Sequence, residues 1–192
     1  MRILLLACFT LLLSCAHEDR SGQNPWANFL GAPSPENESQ LMKSIKADLE
    51  RCDWGKVENR SAVPDKVRQE LFALIASGDN SSLRVGVNIE KCLDGGDLGD
   101  FRRSAGLFLD RRPNDFIDET LKLGISPERF SALITRLPLE LVDNPSGQAK
   151  LVEARKIKLE VSITLANTDF LEHGVDALNS IQKSLSNTKE RD

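Results

Sequence analysis

The residues that could perform chemistry are concentrated in one glycine-rich stretch. Segment 94–100, DGGDLGD, holds three carboxylates, and oxygen ligands of this kind are the ones that calcium prefers. The segment lacks the alternating ligand order and the downstream glutamate of an EF-hand loop. We therefore expect Asp94 to end one helix and Asp97 to lie near the positive end of the next helix dipole, with calcium binding as the alternative.

Other catalytic patterns are sparse. The two histidines, His17 and His173, are far apart in the sequence, so we expect no zinc site, and no other metal or cofactor is indicated. Neither a G-x-S-x-G nucleophile elbow nor a phosphate-binding glycine loop occurs. A hydrolase that uses a pair of carboxylates stays open, because 29 acidic residues always include pairs. A sugar cleft usually stacks the sugar on aromatic side chains. The chain has no tyrosine, and Trp26 and Trp54 are its only tryptophans, which argues against such a cleft.

Two basic pairs, Arg102-Arg103 and Arg111-Arg112, are candidate partner-binding residues. They are about nine residues apart, which is two and a half turns of a helix. One interpretation is a docking patch for an anionic partner protein or for the cell wall. The alternative is a solvated surface. The acids that would neutralise it are Asp100, Asp110 and Asp115.

The amino-terminal residues have the organisation of a signal peptide. Residues 3–13 form an apolar run behind Arg2, and this run is shorter than the ~20 residues that a membrane-spanning helix needs. The end of this run and the two residues after it, Leu12-Leu13-Ser14-Cys15, resemble the bacterial lipobox. The alternative is an ordinary secretory signal with an incidental cysteine.

The lipobox resemblance implies a lipid-anchored protein. In that family the cysteine, here Cys15, receives a diacylglyceryl group, residues 1–14 are removed, and the new amino group is acylated, with palmitate as a typical fatty acid. Several acyl chains hold a protein firmly on a membrane. By the same resemblance, Ala16 favours the outer membrane, facing the periplasm. The mature chain would carry 24 basic and 29 acidic residues, which gives no reason to expect nucleic acid as a partner.

Two cysteines remain after processing, because Cys8 leaves with the signal peptide and Cys15 is lipidated. An exported protein lies in an oxidising compartment, so Cys52 and Cys92 are predicted to form a disulfide. A closed loop of about 40 residues would stabilise the fold by roughly 4 kcal/mol through chain entropy. Cys52 is expected to point inward from the apolar face of its helix. A redox pair, which usually has C-x-x-C spacing, is the alternative.

Residues 15–38 are predicted to form the lipidated cysteine and a flexible tether, because the segment is rich in Gly, Pro, Ser and Asn. Trp26, Phe29 and Leu30 interrupt this composition. They are interpreted either as packing back on the domain or as a short docking motif for a partner, with Trp26 as its candidate residue.

Residues 39–188 are predicted to form an all-α domain, followed by a disordered tail at 189–192. Apolar side chains recur at helical spacing, with Ser39 as the expected cap of the first helix. Segments 83–89 and 157–165 instead alternate with period two, the strand signal. Helix is favoured for both, because one is bracketed by cap and stop residues and the other contains no residue that would turn a strand. Two paired strands are the alternative.

The sequence thus predicts seven or eight helices in antiparallel pairs, which resemble HEAT-like helical repeats or form an irregular helical bundle. The expected function is that of an envelope lipoprotein whose helical domain binds a partner protein without catalysis, in an immunity or adaptor role. The immunity version rests on analogy with small anchored proteins that neutralise envelope toxins. An envelope hydrolase that acts on cell-wall material is the alternative.

Overall fold

A computed structural model describes residues 24–52, 65–164 and 166–189, and within these ranges the protein is all-α, as predicted. The described α-helices are α1 (Pro25–Gly31), α2 (Pro35–Arg51), α3 (Asp65–Ser77), α4 (Asn80–Ile89), α5 (Gly95–Arg111), α6 (Pro113–Lys122), α7 (Pro127–Thr135), α8 (Pro145–Ser162) and α9 (Thr168–Lys189). Short 3₁₀ turns lie at Glu90–Cys92 and Leu139–Leu141. The predicted signal peptide, Cys15, His17 and Trp54 lie outside the described residues.

Successive helices alternate between two rows. One row brings α3, α5, α7 and α9 into contact in that order, and the other brings α2, α4, α6 and α8 together. The pairs α1–α2, α3–α4 and α5–α6 therefore stack on one another, which is the layout that helical-repeat folds use to bury a continuous core. Beyond them, α8 packs mainly against α9. In the described part of the chain, none of the helices combines the length and apolarity that crossing a bilayer requires.

The helical body begins before residue 39 and includes part of the segment predicted to be a tether. Asn24 caps α1 by accepting a 3.0 Å hydrogen bond from the backbone N–H of Trp26. Ser34, rather than Ser39, caps α2. Both caps precede a proline at the start of the helix, a recognised start signal that the overall composition of this segment concealed.

Of the two segments with strand-like alternation, 83–89 is helical throughout and 157–165 is helical to residue 162. In α4 the apolar residues 83, 85, 87 and 89 are all buried, because α2, α3 and α6 pack around this helix. In α8 the apolar alternation does not correspond to burial, because Val152 and Leu159 are buried, whereas Ile157 and Val161 are exposed. Residues 163 and 164 continue without helical structure, and residue 165 lies outside the described part.

Phenylalanine side chains form the centre of the core. Ring centroids are 5.6 Å apart between Phe108 and Phe116, 6.0 Å between Phe116 and Phe130, and 4.3 Å between Phe130 and Phe170. Offset aromatic pairs at these separations add to the free energy gained from burial. This chain of rings joins α5, α6, α7 and α9, so the second half of the fold shares one aromatic core.

The predicted disulfide between Cys52 and Cys92 is present, with Cα atoms 5.0 Å apart. It joins the end of α2 to the 3₁₀ turn that follows α4. Cys52 does not point inward as expected: it follows the last residue of α2, adopts a left-handed backbone with φ of 46°, and is exposed. The bond therefore lies at the surface, beside the turn that carries Glu90.

Candidate functional site

An open pocket of about 570 Å³ lies where the Glu90–Cys92 turn meets α5 and α7. We call it the arginine–leucine pocket. Its lining residues are Val87, Asn88, Glu90, Lys91, Leu93, Leu98, Arg102, Leu123 and Arg129. The volume lies within the range of ligand-binding clefts, about 300–1,000 Å³.

Glu90 is the centre of this pocket. Its side chain is only 6% exposed, and each of its two carboxylate oxygens accepts hydrogen bonds from a different arginine. Arg102 donates from Nε and Nη2 to Oε1, at 3.3 and 3.1 Å. Arg129 donates from Nε and Nη2 to Oε2, at 3.0 and 2.6 Å. A buried carboxylate needs such partners, because an unpaired charge is costly to desolvate.

Local structure explains why these three side chains meet. Glu90 directly follows the buried end of α4, so its side chain starts from the core. Arg129 lies in the first turn of α7, where its backbone N–H donates to Ser126 Oγ. Arg129 Nη2 also donates to the carbonyl oxygen of Val87, at 3.1 Å. Both the backbone and the head group of Arg129 are therefore held in place.

The first turn of α7 has a second support. A hydrogen bond from the Ser126 side chain, followed by the backbone amide of Glu128, lowers the pKa of the Glu128 carboxyl. An ionised carboxylate in the first turn favours the helix because it faces the positive end of the helix dipole. The helix start that carries Arg129 is thus stabilised near neutral pH.

The pocket combines positive charge with apolar surface. Lys91, Arg102 and Arg129 carry three positive charges against the one negative charge of Glu90, so the lining has a net charge of +2. Leu93, Leu98 and Leu123 supply apolar side chains to the same lining. Such a surface is suited to a ligand that has both an anionic and an apolar part.

The predicted arginine pairs do not act as one patch. Arg102 lines the arginine–leucine pocket, whereas Arg103 binds Asp100 at 2.5 Å and lines a separate cleft beside Leu139 and Val142. Arg112 binds Asp115 and donates to the carbonyl oxygen of Gly78, so it ties α5 to the end of α3.

Two further predicted residues have different environments. Arg111 is exposed and does not line the arginine–leucine pocket. Trp26 is 6% exposed and packs in the core, so its ring is not on the solvent-facing surface. Of the candidate partner-binding residues named from the sequence, Arg102 is the one that lines this pocket.

The acidic stretch 94–100 forms the start of α5. Asp97 lies in the first turn of α5, as expected, whereas Asp94 does not end the preceding helix but occupies the N-cap position of α5, without a side-chain hydrogen bond to the helix. Asp97 binds Arg68 at 3.2 Å, and Arg68 also binds Asp65. Within the described ranges, no group of three potential ligand side chains is placed to hold a metal ion.

A second arginine, Arg155, makes a contrasting cluster. Its side chain is fully buried and binds both oxygens of Asp110, at 2.9 and 2.7 Å. It also donates from Nη1 to the carbonyl oxygens of Ile134 and Arg136. Gly106 makes room for it, because a Cβ atom there would lie 2.7 Å from Nη2. This cluster joins α5, α7 and α8 inside the protein.

A third cluster joins the even-numbered row. Arg84 donates to Glu38 from Nε at 2.8 Å and to Glu119 from Nη1 at 2.9 Å. Hydrogen bonding to Glu38, and then to Glu119, raises the pKa of Arg84 above its ordinary value despite the opposing effect of burial. The cluster therefore crosslinks α2, α4 and α6 with a permanently charged guanidinium.

Sequence reasoning missed Glu90 and Arg129, the two residues that define the pocket. A partial signal existed for Glu90, since it directly follows the buried alternation of 83–89. Arg129 carried none, because an arginine in the first turn of a helix is ordinary at a surface. They meet because the Glu90–Cys92 turn contacts α7, and about 40 residues of chain separate the two side chains.

Comparisons with other proteins do not extend this description. No family model, curated protein or solved structure gives a significant match to the chain.

Proposed function

We propose that this protein is a lipid-anchored component of a bacterial cell envelope and that its helical body binds a partner protein, without catalysis, at the arginine–leucine pocket. An adaptor or immunity role is the biological form of this proposal. The observation that supports it most is the arrangement around Glu90. A buried carboxylate holds two partly exposed arginines beside three leucines, and such fixed side chains lose little freedom when a partner binds.

The pocket has the composition of a protein-binding surface. Arginine is enriched at protein–protein interfaces, and the buried core of an interface is more apolar than the rest of the protein surface. Arg102 and Arg129 are 27% and 43% exposed, so their head groups can reach a ligand while they remain bound to Glu90.

Position-dependent crosslinking tests the binding role. A photoreactive amino acid at Asn88, an exposed lining residue, should crosslink one stoichiometric partner in intact cells. The same amino acid at Lys150, which is exposed on α8 and does not line the pocket, is the matched control. Equal crosslinking from both positions, or none from Asn88, would refute the proposal that this pocket is the binding site.

The anchor is tested separately. Wild-type protein should incorporate labelled palmitate and sediment with membranes, whereas a Cys15→Ser variant should lose both properties because it lacks the thiol that accepts the lipid. A Cys15→Ser variant that is still acylated and membrane-bound would contradict the lipoprotein assignment. Separation of the inner and outer membranes would then test the expectation from Ala16.

The alternative, an envelope hydrolase, needs a pair of carboxylates that can exchange protons. Asp65, Asp97 and Asp100 share one cleft, but Arg68 binds the first two and Arg103 binds the third. Each acid thus has a cationic partner already. Turnover of purified cell wall by the mature domain, abolished by a single Asp→Asn change in this cleft, would favour the hydrolase and exclude the non-catalytic proposal.

A further inference from the structure

We infer that the arginine–leucine pocket recognises a short polypeptide segment in which one carboxylate lies next to a leucine-sized apolar side chain. The inference rests on the proposed function, since it names the chemistry of the partner at the same pocket. It is carried by three properties of the pocket: its unused hydrogen-bond donors, its charge balance and its leucine lining.

The first property is the hydrogen-bonding capacity that Glu90 leaves unused. Arg102 and Arg129 both bind Glu90 through Nε and Nη2. In ranges 24–52, 65–164 and 166–189, no acceptor binds Nη1 of either guanidinium. One nitrogen on each arginine is therefore available, on a head group whose position is already fixed. A carboxylate is the ligand group that such charged donors bind most strongly, so these two nitrogens favour an anionic ligand.

The second property is the net charge of the group that Glu90 forms with its two arginines. Glu90 with Arg102 and Arg129 has a net charge of +1, so one ligand carboxylate would neutralise it. A phosphate dianion is a poorer match, because its negative charge exceeds the +1 charge of this group. The negative charge of Glu90 would also oppose a dianion at this short range. Lys91 adds one further positive charge at the rim.

The third property is apolar. Leu93, Leu98 and Leu123 contribute to the same lining, and each packs against the hydrophobic core as a partly buried side chain. Burying a ligand side chain of leucine size against such a surface stabilises the complex by excluding water from both. A free carboxylate without an adjacent apolar group would leave this part of the pocket unused.

The test uses four blocked hexapeptides that differ only in a central pair: Glu-Leu, Gln-Leu, Glu-Ala and Gln-Ala. Each is titrated into the ¹⁵N-labelled, disulfide-bonded mature domain, with amide chemical shifts as the readout. The Glu-Leu peptide should shift amides at residues 87–93, 98, 102, 123 and 129. The Gln-Leu peptide should bind roughly tenfold more weakly, because it loses the charge-assisted hydrogen bonds.

Protein variants locate the effect. Lys91→Gln should reduce the preference for Glu-Leu over Gln-Leu without changing the fold, because Lys91 is exposed at the rim. Arg129→Gln should reduce it roughly tenfold, with thermal unfolding recorded to confirm that the variant is folded. Lys150→Gln removes a positive charge elsewhere and should leave the preference unchanged.

Three outcomes would overturn the inference: equal binding of Glu-Leu and Gln-Leu, shifts outside the pocket, or tighter binding of inorganic phosphate than of Glu-Leu at these amides. If a partner crosslinks from Asn88 while the Glu-Leu peptide does not bind, this inference fails and the proposed function stands. If the peptide binds and no partner crosslinks from Asn88 in cells, the proposed function fails instead.

Discussion

Two arginine–carboxylate clusters in this protein have opposite arrangements. In the Arg155 cluster the arginine is fully buried, and four acceptor atoms receive its hydrogen bonds. In the Glu90 cluster the carboxylate is buried, and the two arginines are partly exposed, each with one nitrogen that binds no acceptor among the described residues. The first arrangement uses the charge to hold helices together. The second uses a buried charge to position exposed donors, so the difference separates a structural cluster from the proposed recognition site.

The largest expected effect is that of Arg155→Ala. It leaves two carbonyl oxygens without this donor and, within the described part of the chain, leaves the Asp110 carboxylate with only Lys158, 3.9 Å away. It also opens a cavity beside Gly106. We expect a loss of about 3–5 kcal/mol in the free energy of unfolding, measured by urea denaturation. Arg111→Ala, on the exposed side of α5, is the control and should change stability by less than about 0.5 kcal/mol. Similar losses for both variants would contradict the structural role of Arg155.

Removal of the disulfide is expected to have the second-largest effect on stability, and it should affect the two clusters unequally. Replacing Cys52 and Cys92 together by serine is expected to cost about 2–4 kcal/mol, because the denatured chain regains the freedom of a long loop. Cys92 ends the turn that begins at Glu90, so hydrogen exchange should rise first at residues 90–93. Protection around Arg155 should persist until global unfolding. Uniform loss of protection would show that the bond does not support the pocket in particular.

Glu90→Gln makes the most direct comparison with Arg155→Ala. It keeps one acceptor oxygen and leaves the unpaired charges on arginines that water can reach. We therefore expect a smaller loss, about 1–2 kcal/mol by thermal or urea unfolding. A loss as large as that of Arg155→Ala would mean that the Glu90 cluster is itself a structural crosslink, and the distinction between the two clusters would fail.

A smaller effect is expected from Gly106→Ala. The added methyl group would lie 2.7–3.0 Å from three atoms of the Arg155 guanidinium. Overpacking then outweighs the helix-forming advantage of alanine, with a net loss of about 1 kcal/mol. Gly96→Ala is the matched control in the same helix, because nothing lies within 4 Å of its Cβ position, and it should be neutral or stabilising. In an Arg155→Ala background the Gly106→Ala penalty should disappear.

The smallest expected effect concerns acid. The Ser126 hydrogen bond lowers the pKa of Glu128 from its ordinary value of 4.5. The stability that this group contributes is therefore complete above the unfolded pKa and is lost as the pH falls through the folded pKa. Glu128→Gln should reduce the decline in stability between about pH 5 and about pH 3. Hydrogen bonds from Lys156 and then Gln182 likewise lower the pKa of the Glu153 carboxyl on α8. Glu153→Gln is therefore a second, independent test and should act similarly.

The fold could be predicted from the sequence further than the site could. Apolar spacing and cap residues predicted an all-α domain, and the count of cysteines in a chain expected to be exported predicted the disulfide. The predicted start of the domain at residue 39 was too late. The Gly, Pro, Ser and Asn content of 15–38 indicates a tether, whereas the local Asn24-Pro25 and Ser34-Pro35 pairs mark helix starts. Local signals of this kind can be read directly from the chain.

The charged clusters were harder to predict, because each depends on helices that are far apart in sequence. A signal for Arg155 did exist: it lies three residues after Val152 and four before Leu159, so it occupies the buried stripe of α8. The mid-helix glycine at 106 was its counterpart on α5. Neither feature named the partner, because the distance between two helix surfaces follows from packing and not from local spacing.

The surface disulfide also determines how tension would pass through this molecule. If the chain is pulled by its two ends, the covalent path runs from Cys52 directly to Cys92, and the residues between them carry no load. About 39 residues, roughly 130 Å of extended chain, are thereby withheld from stretching. Helices α3 and α4 and Glu90 lie within this shielded loop. A pulling force on the amino-terminal end would therefore not be transmitted through the segment that positions the two arginines.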